Sequence, residues 1–207
     1  MLGLLYRPEC RQLALDLGIA TLKALHAARA ESALLFASGR AYQWLRRMKV
    51  SAHETFGASL LLPHQVRELV ELARAYNHDN GEKRVLVHGD LQPSHVIVHP
   101  SGSSLALIDL EAMRIGKAAT NFAQLWIGYY IADPSAGAGL YERYASLHPD
   151  PLDAAFEVNV RAEMALRCHR HVLEGRRLRN RNLEERAALL LARVLDGSSV
   201  TQICLGE

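Results

Sequence analysis

Cysteine is scarce in this sequence, and its pattern argues against a disulfide-stabilised fold. Only Cys10, Cys168 and Cys204 occur among the 207 residues. They are odd in number and far apart, and no Cys-x-x-Cys spacing occurs. This usage favours a reducing compartment over a disulfide framework, so we predict a cytoplasmic protein.

The sequence also lacks a strong charge of either sign and a long apolar run. Its net charge of +2 is too small to argue for nucleic acid or a membrane surface as a partner. Arg7 and Glu9 lie within the first ten residues, which have no apolar signal-peptide core. The charge-free run from Ala118 to Ala132 is too short and too polar to span a membrane. We therefore expect neither nucleic acid nor membrane partners.

What the sequence has is enough apolar content for one sizeable core. Hydrophobic residues make up 49% of the chain, and no repeat or linker divides it, so residues 1–207 are predicted to form a single domain. Apolar periodicity predicts a series of helices. Turn signals at residues 133–137 end one of them, and Gly175 and Gly197 end the last two. These helices cover residues 13–28, 41–48, 63–76, 120–132, 151–174 and 183–195.

Short apolar runs bounded by turn residues predict buried strands between these helices. One run, residues 85–87, leads to Asp90, and another ends at Asp109. A turn at residues 100–103 separates the two segments as in a hairpin. Strands can fix two acids close together, one to accept a proton and one to bind a metal. That is the minimum equipment of a phosphoryl-transfer site.

At these residues the chain resembles the aminoglycoside phosphotransferase and choline kinase group, within the protein-kinase-like fold. The group's pattern is His-Gly-Asp-Leu-x-Pro-x-Asn, an apolar strand, and then Ile-Asp-x-Glu. The matching positions are His88, Gly89, Asp90, Leu91, Pro93, Ile108, Asp109 and Glu111. The resemblance implies a mainly α fold with a small β-hairpin (α+β), similar to the carboxyl-terminal lobe of a kinase. It also implies transfer of the ATP γ-phosphate to a hydroxyl group of a small molecule.

The resemblance also implies a role for each matched polar residue. Asp90 would be the base or orienting group for the acceptor hydroxyl, and Asp109 would bind the Mg²⁺ that bridges the ATP phosphates. His88 would hold the catalytic loop in place, and Glu111 would be a secondary metal or substrate contact. The second metal ligand and cofactor contact, Asn in the group, is His95 here. Imidazole is a poor ligand for Mg²⁺, which prefers hard oxygen atoms.

Two further departures from the group's pattern bear on activity. Asn121 replaces an acid that anchors the catalytic loop by accepting backbone hydrogen bonds, and an amide oxygen accepts without charge assistance. Neither a Gly-rich phosphate loop nor a strand-borne lysine precedes the first predicted helix, so we expect this chain to lack the amino-terminal lobe that the resemblance implies. We therefore expect a partner protomer or a separate amino-terminal lobe.

Two groups of residues have more than one interpretation. His88, His95 and His99 with Asp90 could form a transition-metal site, or His88 could support the loop beside solvent-facing histidines. The arginine-rich residues 161–181 could bind an anion or a partner, or could form a solvated helix face.

Two functions follow from these patterns. The first is a phosphotransferase completed by another polypeptide. The second is a pseudokinase-like binding module, or a truncated remnant, without catalytic activity.

Overall fold

The computed structural model describes residues 1–28, 61–77, 84–99, 104–147 and 154–206. The helix predicted over residues 41–48 and the turn predicted at 100–103 lie outside these ranges. The helices are α1 (Leu2–Leu5), α2 (Arg11–Ala27), α3 (Pro63–Asn77), α4 (Ala118–Ala132), α5 (Pro134–Ser146), α6 (Ala154–Leu178), α7 (Arg181–Leu195) and α8 (Val200–Leu205). The strands are β1 (Arg84–Val87), β2 (Val96–Val98), β3 (Leu105–Leu107) and β4 (Arg114–Lys117).

The four strands form two small antiparallel sheets among the helices. Strands β2 and β3 pair with Val96 opposite Leu107, which confirms the predicted hairpin. Strands β1 and β4 pair with Arg84 opposite Lys117. This second sheet was not predicted, because β4 reads Arg-Ile-Gly-Lys and has no apolar run. The fold is mainly α with a small β-hairpin, as the resemblance implied.

Helix α4 lies at the centre of the core and runs beside the strands. It packs against α5 and α6, and its side chains are buried on nearly every face. Phe122, Trp126 and Tyr129 are fully buried. Aromatic side chains bury large areas, so this helix fixes the position of the chain segments that contact it.

Two predicted helix boundaries were wrong, each for a steric or capping reason. Helix α6 continues through Gly175 to Leu178. Gly175 faces α7, where a Cβ would lie 2.7 Å from the Glu184 backbone nitrogen. This glycine permits close helix packing and does not end the helix. The predicted break at 133–137 is confined to Asp133, whose carboxylate accepts from the Ser135 N–H at 3.0 Å as Pro134 begins α5.

Of the helices within the described ranges, none is long and apolar enough to cross a membrane.

Candidate active site

The two acids that follow β1 and β3 lie close together at one end of the strands. Asp90, Asp109 and His95 each offer a ligand atom, and these atoms all lie within 4.8 Å of one another. Backbone hydrogen bonds join the segments: the Ile108 N–H donates to the His95 carbonyl at 3.0 Å. The side chains therefore meet because the β2–β3 hairpin folds back beside the loop after β1.

His88 is buried and links the two acid-bearing segments. Its ring Nε2 lies 2.9 Å from the Ile108 carbonyl oxygen, and its Nδ1 lies 3.4 Å from the Asp90 backbone nitrogen. A carbonyl oxygen only accepts, so Nε2 carries the proton and Nδ1 accepts. Burial lowers the pKa of His88 and favours this neutral form. These contacts hold the loop in position.

Two amide side chains of α4 hold the other side of the loop. Asn121 Oδ1 accepts from the His88 N–H at 3.1 Å, and its Nδ2 donates to the Leu86 carbonyl at 2.8 Å. Residues two apart on a strand present their backbone groups to the same edge, so one amide can pair with both. The sequence predicted the acceptor role of Asn121. The hydrogen bond that Asn121 donates to the Leu86 carbonyl could not be made by an ionised carboxylate at this position, because a carboxylate only accepts.

Gln124 does the same one turn further along α4. Its Oε1 accepts from the Leu91 N–H at 2.7 Å, and its Nε2 lies 3.3 Å from the Gly89 carbonyl oxygen. Sequence reasoning missed Gln124. The available signal was its position three residues after Asn121, which places both amides on one face of the helix.

Gly89 is required at its position in the loop. Its φ is +90°, and a Cβ there would lie 2.3 Å from the Ala112 carbonyl oxygen. Because L side chains rarely adopt this conformation and no space exists for one, glycine allows the loop to approach the turn after Asp109.

The residues assigned by resemblance occupy different environments. Asp109 has φ of 61°, a left-handed conformation that aspartate tolerates, and its side chain is half-exposed. His95 lies on the 3-10 turn Pro93–His95, just before β2. Glu111 is exposed on the next turn and does not belong to the three-residue group, so its role stays a prediction.

An arginine from the basic segment reaches the acid that follows β1. Arg167 Nη1 lies 2.5 Å from Asp90 Oδ1, and Nη2 lies 2.6 Å from the Gly89 carbonyl oxygen. Burial would raise the pKa of Asp90, but the charge and hydrogen bond of Arg167 outweigh it and the pKa is lowered. Sequence reasoning gave the basic segment no such partner, because 77 residues separate the pair.

The arrangement defines a class of protein. A helical lobe whose β-hairpin carries one acid and whose preceding loop carries another is the arrangement that the resemblance to the protein-kinase-like fold implies. The model of the phosphotransferase enzyme family matches residues 4–156, and the chain belongs to that family. No curated protein sequence matches the chain.

Solved structures agree with this fold. The chain is similar to the GDP complex of wild-type aminoglycoside 2'-phosphotransferase-IIIa, with a TM-score of 0.51, 18% identity, and coverage of 90% of this chain and 62% of the other. For the GDP and kanamycin complex of APH(2")-IIia, the TM-score is 0.55 at 20% identity, with 89% and 62% covered. Aminoglycoside-3'-phosphotransferase of type VIII gives 0.50 at 16% identity, with 86% and 60% covered. The chain thus spans under two thirds of these structures.

Proposed function

We propose that this protein transfers the terminal phosphoryl group of a nucleoside triphosphate to a hydroxyl group of a small molecule. The observation that supports the proposal is the meeting of Asp90, His95 and Asp109 within 4.8 Å. Phosphoryl transfer needs little covalent chemistry from the protein, because positioning and charge stabilisation supply most of the catalysis.

Asp90 is the residue that we assign to the acceptor hydroxyl. Arg167 holds its Oδ1, while its Oδ2 accepts a long 3.3 Å hydrogen bond from Gln92. We assign Oδ2 to the acceptor. A carboxylate with a lowered pKa is a weak base, so we expect Asp90 to orient the hydroxyl and to accept its proton late in the transfer.

Asp109 and His95 are the residues that we assign to a divalent cation, with Glu111 as a secondary contact and His88 as a positioning residue. Their carboxylate and imidazole atoms form a donor set that fits such an ion. A bound cation would neutralise charge on the nucleotide phosphates. The resemblance predicts Mg²⁺ with ATP. GTP is a second donor to test, because similar structures are GDP complexes.

The proposal includes a partner protomer or a separate amino-terminal lobe over the nucleotide. Ile97 is two residues from His95 in the chain, Ile108 and Leu110 flank Asp109, and each of the three exposes 40% or more of its surface. Exposed apolar side chains near a site support the proposal of a contact surface there. The acceptor is a small hydroxyl compound, and kanamycin, present in one similar structure, belongs in the test panel.

The test is phosphoryl transfer by the full chain, with and without a candidate amino-terminal-lobe partner. ATP or GTP, a divalent cation and a panel of alcohols are supplied, and phosphorylated product is measured by mass spectrometry. We expect Asp90→Asn to abolish transfer. Asp16→Asn, which breaks an Asp–Arg pair with Arg143 outside the site, should retain it. No product with any acceptor, donor or partner would contradict the proposal.

The ion pair of Asp90 also favours a second candidate, a binding module without catalytic activity. A carboxylate already paired with Arg167 is less available to an acceptor hydroxyl. This candidate predicts no transfer and little stabilisation by nucleotide in a thermal-shift assay, since only ligands that bind the native state raise its melting temperature. A nucleotide-dependent shift that Asp109→Asn removes would exclude it.

A further inference from the structure

The imidazole of His95 is held with one nitrogen directed toward Asp109. Its Nδ1 lies 2.8 Å from the Asp90 carbonyl oxygen, which can only accept a hydrogen bond. Nδ1 therefore carries a proton, and in the neutral ring Nε2 has a free lone pair. Metal-binding histidines commonly donate their second ring nitrogen to a carbonyl or carboxylate in this way, which fixes the tautomer.

The Nε2 atom lies 3.6 Å from Asp109 Oδ2. This distance is too long for a good hydrogen bond. Two ligand atoms about 2.1 Å from one ion, at a tetrahedral angle, are about 3.4 Å apart. The observed separation is close to that value. An imidazole lone pair and a carboxylate oxygen at this distance can therefore share a cation.

The surroundings hold the His95 ring and the backbone next to Asp109. The His95 ring stacks on the buried His88 ring, with centroids 5.9 Å apart and planes at 23°. Ile108, next to Asp109, bonds to His95 through its N–H and to His88 through its carbonyl. Hydrogen bonds that do not involve a metal thus set the position of the His95 ring and of the backbone that carries Asp109. Such preorganisation reduces the cost of binding.

Imidazole nitrogen changes which ion the site prefers. Mg²⁺ binds oxygen atoms at about 2.0–2.1 Å in an octahedron, whereas the Mn²⁺ to Zn²⁺ series also binds imidazole. We propose that the site formed by His95 and Asp109, with the Asp90 carboxylate nearby, binds divalent transition-metal ions more tightly than Mg²⁺. This inference concerns the metal of the site assigned above and rests on that assignment.

The test is binding of the metal alone to the full chain, so that it is independent of phosphoryl transfer. Isothermal titration calorimetry with MnCl₂, ZnCl₂ and MgCl₂ gives the three affinities without nucleotide. We expect Mn²⁺ and Zn²⁺ to bind at least about 10-fold more tightly than Mg²⁺, and His95→Asn to remove most of that preference. Pulsed electron paramagnetic resonance should show nitrogen coupling to bound Mn²⁺ that the variant lacks.

The control is His99→Asn, because His99 is exposed and outside the three-residue group in a chain with ten histidines. It should leave all three affinities unchanged. His95→Gln serves if His95→Asn does not fold, as judged by circular dichroism. Binding of Mn²⁺ and Zn²⁺ no tighter than Mg²⁺, including binding of none of them, would overturn the inference. A Mn²⁺ affinity in the folded His95 variants equal to that of the wild type would overturn it too. Either result leaves the proposed phosphoryl transfer to be judged by its own assay.

Discussion

Asn121→Ala removes the amide that pairs with two backbone groups of β1 and the loop after it. Asn121 is fully buried, and the change leaves the His88 N–H and the Leu86 carbonyl without this partner. An unpaired buried group costs about 1–3 kcal/mol. Because Leu86 is only partly buried, we expect a total loss of about 3 kcal/mol in the free energy of unfolding. For a chain of this size, this corresponds to a fall of roughly 6–12 °C in melting temperature.

Asn121→Asp separates the two halves of that interaction. The carboxylate keeps an acceptor for the His88 N–H but directs its second oxygen at the Leu86 carbonyl, and two oxygen atoms repel. A protonated acid would restore the donor. We therefore expect the loss of stability relative to the wild type to be larger at pH 8 than at pH 5.5.

Urea denaturation of the wild type and both variants at the two pH values measures these effects. Asn182→Ala is the control, because Asn182 is exposed on α7 and its loss should change stability by less than about 0.5 kcal/mol. The reasoning fails if Asn121→Ala unfolds within about 1 kcal/mol of the wild type, which would mean that other groups satisfy the loop. It also fails if the cost of Asn121→Asp does not depend on pH.

Three further predictions concern the loop, its ion pair and a buried imidazole. Gly89→Ala lowers the free energy of unfolding by at least about 2 kcal/mol, because its φ is positive and no space exists for a Cβ. Arg167→Met raises the pKa of Asp90 and removes about 1.5–3 kcal/mol of stability at neutral pH. Since the folded pKa of Asp90 lies below 3.8, this difference diminishes as the pH falls through it. Burial lowers the pKa of His169 to about 4. As the pH falls from 6.5, the unfolded chain therefore binds a proton at this residue before the folded chain does, and the folded state loses stability. We expect His169→Leu to reduce that loss.

Denaturation at several pH values tests all three. Gly3→Ala is the control for the glycine, because a Cβ there meets nothing within 4 Å; equal effects at both glycines would contradict the steric argument. A stability difference for Arg167→Met that persists unchanged well below pH 3.8 would show that the ion pair is not its source. An unaltered slope between pH 6.5 and 4 in His169→Leu would remove that residue as its cause.

Local patterns in the sequence predicted most of the secondary structure. The helix predicted over residues 63–76 is α3, and the strand before Asp90 is β1, because periodicity and turn residues act over short distances. The helix α5 was missed, although Asp133 followed by Pro134 is a helix-start signal. Gly175 was assigned to a helix end, because sequence alone does not show that another helix approaches it.

The sequence by itself determined the family, through the histidine, glycine and acids of two motifs, and with them the positions of Asp90 and Asp109. Only the tertiary structure decided which groups surround those acids. Arg167 and Gln124 are distant from Asp90 in the chain, and the packing of α6 and α4 brings them to the loop. The direction of the His95 nitrogen likewise depends on a backbone carbonyl, a group that every residue has and that only folding places.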